Sequence, residues 1–160
     1  MDIKIGIGYD IHRLKPGRRM VLGGVHMDFI KGPEGHSDGD VLLHAVCDAI
    51  LGALGKEDIG FRYPDTDPEY KNISSAELLK DTAGLIREEA FEIMNIDSVV
   101  ILEEPKVGPY RERIIENISG ILGVSKQKIN VKAKTSEKTG AVGEGSAVEA
   151  QAVVLLRRKN

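Results

Sequence analysis

Residues 2–12 of this chain alternate strictly. Ile3, Ile5, Ile7, Tyr9 and Ile11 fall on one side, and Lys4, Gly6, Gly8, Asp10 and His12 on the other. A period of two is the signature of a strand, here one with an apolar face. A strand needs partners, so the fold must contain a sheet built around this segment.

The rest of the chain supplies them. Met20-Val21-Leu22 turns at Gly23-Gly24 into Val25–Phe29, which reads as a hairpin. Leu42, Ala45, Val46, Ala49, Ile50, Ala53 and Leu54 follow helical spacing from Val41 to Leu54, and a Pro- and Asp-rich loop runs from Glu57 to Asn72. Ser74-Ser75-Ala76-Glu77 is a capping box that opens a helix reaching about Ala90. Asp97–Glu103 reads as a strand, Pro105–Pro109 as a turn, and Arg111–Leu122 as a third helix stopped near Gly123. Ile129–Ala133 alternates as a strand, and Ala147–Leu156 is apolar enough to be a central one. The expected fold is α+β: a single domain over residues 1–160 with a mixed sheet of four to five strands, covered on one face by three helices.

Composition narrows the function. The 160 residues carry a net charge of −3 and no Lys/Arg-rich run, which argues against binding nucleic acid through a basic face. No apolar run approaches the ~18 residues of a membrane span. Met1-Asp2-Ile3-Lys4 lacks the regions of a signal peptide. The single Cys47 cannot form an intramolecular disulfide and reads as a buried thiol on a helix. Together these features suggest a cytoplasmic protein.

Residues two apart on a strand share a face, so Asp10 and His12 address one point, and Gly6 and Gly8 leave room beside them. His44, near the start of the first long helix, is the third candidate. One carboxylate and two imidazoles suit zinc or a similar divalent transition metal, and three protein ligands leave a position open for catalysis. Asp40, His44 and Asp48 line one stripe of that helix, so a flanking carboxylate can orient the imidazole. Asp40 can equally be an N-terminal helix acid. His26, in the hairpin, reads as a surface residue.

His36-Ser37-Asp38-Gly39 precedes the helix, where backbone N–H groups favour anions; Ser37 or Asp38 can also be a plain N-cap. The loop from Asp58 to Pro68 has both turn chemistry and the length of a binding loop. Glu137 can hold a harder ion such as magnesium through a phosphate, or form a surface ion pair with Lys138.

Taken together, the segments Gly8-Tyr9-Asp10-Ile11-His12, Leu22-Gly23-Gly24-Val25, His36-Ser37-Asp38-Gly39-Asp40-Val41 with His44-Ala45, Asp58-Ile59-Gly60, Phe61 to Pro68, Glu104-Pro105-Lys106, and Asn130-Val131-Lys132-Ala133 through Glu137-Lys138 resemble the 2-C-methyl-D-erythritol 2,4-cyclodiphosphate synthases of the non-mevalonate isoprenoid pathway. The resemblance runs in order through nearly the whole chain. It implies a ferredoxin-like sheet and a homotrimer with active sites between subunits. It also implies a lyase that converts 4-diphosphocytidyl-2-C-methyl-D-erythritol 2-phosphate to the cyclic diphosphate and CMP.

Carried over residue by residue, the resemblance makes Asp10, His12 and His44 zinc ligands and Glu137 a magnesium or manganese ligand. His36 and Thr135 become the groups that stabilise the transferring phosphoryl group, joined by Ser37. Asp58, Gly60 and Asp65 grip the methylerythritol hydroxyls, with Ile59, Tyr63 and Asp67 in the same substrate-binding segment. Glu104, Pro105, Lys106, Ala133 and Lys134 form the cytidine pocket, and Ser136 lies between Thr135 and Glu137. Two departures stand out. Where the family has Leu-Gly-Phe-Thr-Gly-Arg, this chain has only Thr139-Gly140-Ala141-Val142, without the aromatic or the arginine, and Lys134 stands where Thr is frequent.

Two rival readings use the same ligands: a hydrolase in which the ion activates water, and a non-catalytic module whose structural metal is closed by a fourth ligand such as His36.

Overall fold

In the computed structural model, which describes residues 2–159, the alternating segment forms β1 (Ile3–Pro16). A hairpin of β2 (Met20–Leu22) and β3 (Val25–Met27), a short β4 (Lys31–Pro33) and helix α1 (Val41–Ala53) follow. The Pro- and Asp-rich loop contains one helical turn, α2 (Ile59–Arg62). Then come α3 (Ser75–Glu88), β5 (Phe91–Ile101), α4 (Arg111–Leu122), β6 (Ile129–Lys134), a second short turn α5 (Gly140–Gly143), and β7 (Ala147–Arg158).

The fold is α+β, with one mixed five-stranded sheet in the order β4-β1-β7-β5-β6 and a separate β2–β3 ribbon. Only β5 and β6 run parallel; the other neighbours are antiparallel. The apolar β7 is central, paired with β1 on one side and β5 on the other. Helix α1 packs on β1 and β7, and α3 and α4 lie over β5 and β6.

The alternation in β1 has a consequence opposite to the usual one. Its isoleucines point away from the helices: Ile5 is 68% and Ile7 70% exposed. The glycine side is the packed one, because α1 sits so close that a Cβ on Gly8 would lie 1.9 Å from the Ala45 carbonyl oxygen, and one on Gly6 1.9 Å from that of Ala49. Backbone meets backbone there, which only glycine permits.

Strand β5 begins at Phe91, earlier than the expected Asp97. A bulge between Ile93 and Asn95 explains the difference. Phe91 and Ile93 face the core, then the extra residue shifts the phase so that Ile96, Ser98 and Val100 do.

Helix α1 is capped by Asp40, not by Ser37 or Asp38: its carboxylate accepts Leu43 N–H at 3.1 Å. The same buried carboxylate accepts Gly23 N–H at 2.9 Å and Gly24 N–H at 2.6 Å, pinning the hairpin turn to the helix. Ser74 caps α3, and Gly123, with φ 66°, ends α4. Cys47 is buried, and burial pushes its thiol pKa up. Among the described residues no helix is long and apolar enough to cross a membrane.

Candidate metal centre and substrate cleft

The close contact between β1 and α1 sets the position of His44. Asp10 and His12 follow Gly8 on the packed face, and His44 adjoins Ala45, the residue Gly8 touches. Asp10 Oδ2 lies 2.9 Å from His12 Nε2 and 2.9 Å from His44 Nδ1, and the two nitrogens are 3.3 Å apart. These three residues are the group of potential ligands that converges on one point among the described residues.

The donor chemistry fits a divalent ion. His12 Nδ1 is held by the Glu34 carbonyl at 2.5 Å, which leaves Nε2 as the free ligand atom. Burial alone would raise the Asp10 carboxyl, but hydrogen bonds from His12 and His44, with their charge, outweigh it and hold the pKa at about 2. The group is a carboxylate at any physiological pH. For His12, burial acts to lower the pKa; the Asp10 hydrogen bond and charge, helped by Glu34, raise it above its ordinary 6.5.

A cleft of about 370 Å³ opens beside this centre. Asp10, His12, His36, Ser37 and His44 line it from the β1–α1 side, and Ile59, Gly60, Tyr63 and Asp65 from the α2 loop. Several contacts tie the two walls together. Asn72 N–H reaches the His36 carbonyl at 2.8 Å, Asp38 N–H reaches that of Ile73 at 3.1 Å, and His36 Nε2 lies 3.4 Å from the Asp67 carbonyl. Asp58 caps α2 by accepting Phe61 N–H at 2.8 Å, while Asp48 accepts Ile59 N–H at 2.7 Å. Asp67 contributes its carbonyl there, and its carboxylate accepts Glu69 N–H at 3.0 Å.

The neighbours of His44 differ from those read off the helix stripe. Asp40 and Asp48 do not orient the imidazole; they hold backbone N–H groups. Instead His44 Nε2 meets Ser37 Oγ at 3.1 Å and Ser75 Oγ at 2.8 Å. Ser75, which the sequence marks only as part of a capping box, is wholly buried against the site. Arg18, also missed, donates its Nε–H to the Pro33 carbonyl at 3.1 Å and braces the loop leading to His36. Nothing local in the sequence signals either contact, because both span long stretches of chain.

The second group of candidate residues lies elsewhere. Asp10 pairs across the sheet with Ala150, Ala150 with Val100, and Val100 with Ala133. Three inter-strand steps put Ala133 about 14 Å from Asp10 within one protomer. Thr135, Ser136 and Glu137 follow Lys134 beyond the end of β6. Thr135 Oγ1 donates to Glu137, and Ser136 N–H donates to Glu103 Oε1 at 2.6 Å, joining this loop to the segment before Glu104-Pro105-Lys106. No ion pair between Glu137 and Lys138 forms among the described residues; Glu137 takes the Thr135 hydroxyl instead. The shortened segment after Lys138 makes the single helical turn α5, and Gly143 packs so tightly that a Cβ there would lie 2.2 Å from the Lys138 carbonyl carbon.

Comparison with known proteins gives this geometry a context. A protein of Desulfatibacillum aliphaticivorans named 2-C-methyl-D-erythritol 2,4-cyclodiphosphate synthase is 50% identical over 154 residues, covering 96% of this chain and 99% of that one. A Fusobacterium nucleatum protein of the same name is 49% identical over 98% of each chain. The structure of an IspF–CDP complex from Plasmodium falciparum superimposes with a TM-score of 0.88 at 41% identity, covering 99% of this chain and 97% of that one. The bifunctional IspDF of Campylobacter jejuni gives 0.95 at 41% identity over 99% of this chain, which spans 43% of that longer protein. The YgbB family matches residues 3–157, and with relatives at half identity over almost their whole length, this chain belongs to that family.

Proposed function

We propose that this chain is a lyase of isoprenoid biosynthesis that closes 4-diphosphocytidyl-2-C-methyl-D-erythritol 2-phosphate into 2-C-methyl-D-erythritol 2,4-cyclodiphosphate. The observation that carries the reading is the convergence of Asp10, His12 and His44 on a cleft that also takes in His36, Ser37, Gly60 and Asp65. An oxygen of the substrate's 2-phosphate attacks the β-phosphorus, the bond to the bridging oxygen breaks, and CMP departs with that oxygen. The nucleophile belongs to the substrate, so the site needs no activated Ser or Cys. Its task is positioning and charge neutralisation.

Asp10, His12 and His44 would hold zinc or a similar divalent ion, which supplies Lewis-acid polarisation of the β-phosphate. Asp58, Ile59, Gly60, Tyr63, Asp65 and Asp67 surround the methylerythritol end and hold it in line. Ser37 and His36, flanking the ion site, donate to phosphate oxygens as charge shifts between them. Thr135 does the same from the other group. Glu137 would hold magnesium or manganese, which would supply charge neutralisation at the diphosphate. Glu104, Pro105, Lys106, Ala133, Lys134 and Ser136 form the nucleotide end.

This division supports a site shared between copies, since the two groups lie three strands apart in one protomer. The exposed face of Ile3, Ile5, Ile7, Tyr9 and Ile11, extended by Val153, supports an assembly that covers it, and we assign a homotrimer. The β5–α4–β6 unit, with its parallel strands, is in keeping with a ferredoxin-like sheet. The unpaired, buried Cys47 is in keeping with a cytoplasmic setting.

The test is turnover of the diphosphocytidyl substrate by zinc- and magnesium-loaded protein, followed by phosphorus NMR. Equal amounts of CMP and cyclic diphosphate are expected, abolished in His44→Ala. Inorganic phosphate in place of the cyclic product would make the protein a hydrolase instead.

A further inference from the structure

Ser75 stands between His44 and a carboxylate. Its Oγ is 2.8 Å from His44 Nε2 and within hydrogen-bond distance of Asp38 Oδ1, and the residue is wholly buried at the start of α3. Asp38 also accepts the N–H of Ser75 at 3.0 Å and that of Asp40 at 3.1 Å, so its position is fixed from two segments.

The proton inventory of this chain allows one polarity. A carboxylate only accepts, so the single hydroxyl proton of Ser75 goes to Asp38. Ser75 Oγ must then accept at His44, and Nε2 must carry a proton. A neutral imidazole protonated at Nε2 has its lone pair on Nδ1, the atom that faces Asp10 Oδ2 at 2.9 Å and His12 Nε2 at 3.3 Å. Ser37 Oγ, which accepts Gly39 N–H at 3.2 Å and lies 3.1 Å from the same Nε2, is left free to turn its own proton into the cleft.

We propose that Asp38 and Ser75 are positioning residues: a carboxylate–hydroxyl–imidazole relay that fixes the tautomer and ring orientation of His44 and thereby sets the affinity of the Asp10, His12 and His44 centre for a divalent ion. The proposal rests on the reading of those three residues as ion ligands. Removing a hydrogen-bond partner of a ligating histidine lowers metal affinity by roughly 10- to 100-fold in other sites. Ser75→Ala deletes the relay. Asp38→Asn replaces the acceptor with an amide that can donate to Ser75 Oγ, which turns the hydroxyl proton back toward Nε2 and disfavours the tautomer that leaves Nδ1 bare.

The experiment measures Zn²⁺ affinity by chelator competition for wild type, Ser75→Ala, Asp38→Asn and Ser74→Ala, with a thermal melt of each. Ser74 caps the same helix without touching His44, so its loss destabilises the fold while leaving ion affinity unchanged. Ser75→Ala and Asp38→Asn are expected to bind about 10- to 100-fold more weakly. In parallel, nitrogen–proton correlation spectra of the zinc-loaded wild type, which need no variant to fold, are expected to show a slowly exchanging proton on His44 Nε2 and none on Nδ1. Wild-type affinity in both relay variants, an equal loss in Ser74→Ala, or an unprotonated Nε2 would each overturn the relay. Failure of the wild type itself to bind zinc, cobalt or manganese would overturn the underlying ligand reading, and is distinguishable because it appears before any substitution is made.

Discussion

Gly8→Ala tests the contact on which the whole site depends. The added Cβ would lie 1.9 Å from the Ala45 carbonyl oxygen and 2.7 Å from the Ala49 nitrogen. Both are backbone atoms inside a helix and cannot rotate aside. Restoring an ordinary contact of 3.4 Å requires α1 to retreat from β1 by about 1.5 Å. Overpacking of this kind costs ~1–3 kcal/mol when side chains can adjust, and the upper end or beyond is expected where they cannot. For a chain of this size ~3 kcal/mol corresponds to a fall in Tm of roughly 6–12 °C.

The functional effect should exceed the effect on stability. His44 rides on the displaced helix, and metal–ligand distances tolerate only about 0.2 Å. Zinc titration and a thermal melt of Gly8→Ala, compared with Gly52→Ala, give the assay. Gly52 is also at this interface, but its Cβ would come only within 3.7 Å of the Ile7 carbonyl oxygen. Gly52→Ala should therefore be neutral, or gain up to ~1 kcal/mol from helix propensity, and should match the wild type in the zinc titration. A Gly8→Ala protein with wild-type Tm and zinc affinity would refute the close-approach argument.

Three further outcomes follow from the same geometry. The pKa of His12 lies above 6.5, so a proton already competes for the ligand nitrogen just above that pH. Zinc affinity, measured by titration from about pH 8 to about pH 5, should fall by roughly tenfold per unit once His12 is protonated; a flat profile would exclude His12 as a ligand. Asp40→Ala strands the N–H groups of Gly23, Gly24 and Leu43, and should cost about 3 kcal/mol or more in a denaturant titration. Ile7→Asp, on the exposed face, should leave the protomer's own stability within about 0.5 kcal/mol while converting the proposed homotrimer to a smaller species by light scattering.

The convergence of Asp10, His12 and His44 is legible because each position rests on local periodicity. Alternation puts Asp10 and His12 on one side of β1, and helical spacing puts His44 near the start of α1. The same periodicity separates the two faces of β1 but cannot say which faces inward. A row of isoleucines opposite a row containing glycines would ordinarily be the core side; backbone contact with α1 reverses it. The start of β5 was hidden for a related reason, since the bulge near Met94 breaks the alternation. The helix stripe points to Asp40 or Asp48 as the partner of His44; the geometry puts Ser75 there instead, backed by Asp38, and Ser75 lies 31 residues away along the chain. Local pattern finds residues that share an element, and loses those that only tertiary structure brings together.

The row Asp10–Ala150–Val100–Ala133 sets the ion-binding group and the nucleotide group three strands apart in one protomer. In the assembly proposed above, a defect in the ion-binding part and a defect in the nucleotide part are then separable lesions. Two inactive proteins, His44→Ala and Glu137→Ala, should regain activity when unfolded and refolded together, because some junctions join two intact parts. Random mixing in equal amounts makes roughly a quarter of the junctions whole. A cell carrying one copy of each defective gene would keep the pathway running, although neither product works alone.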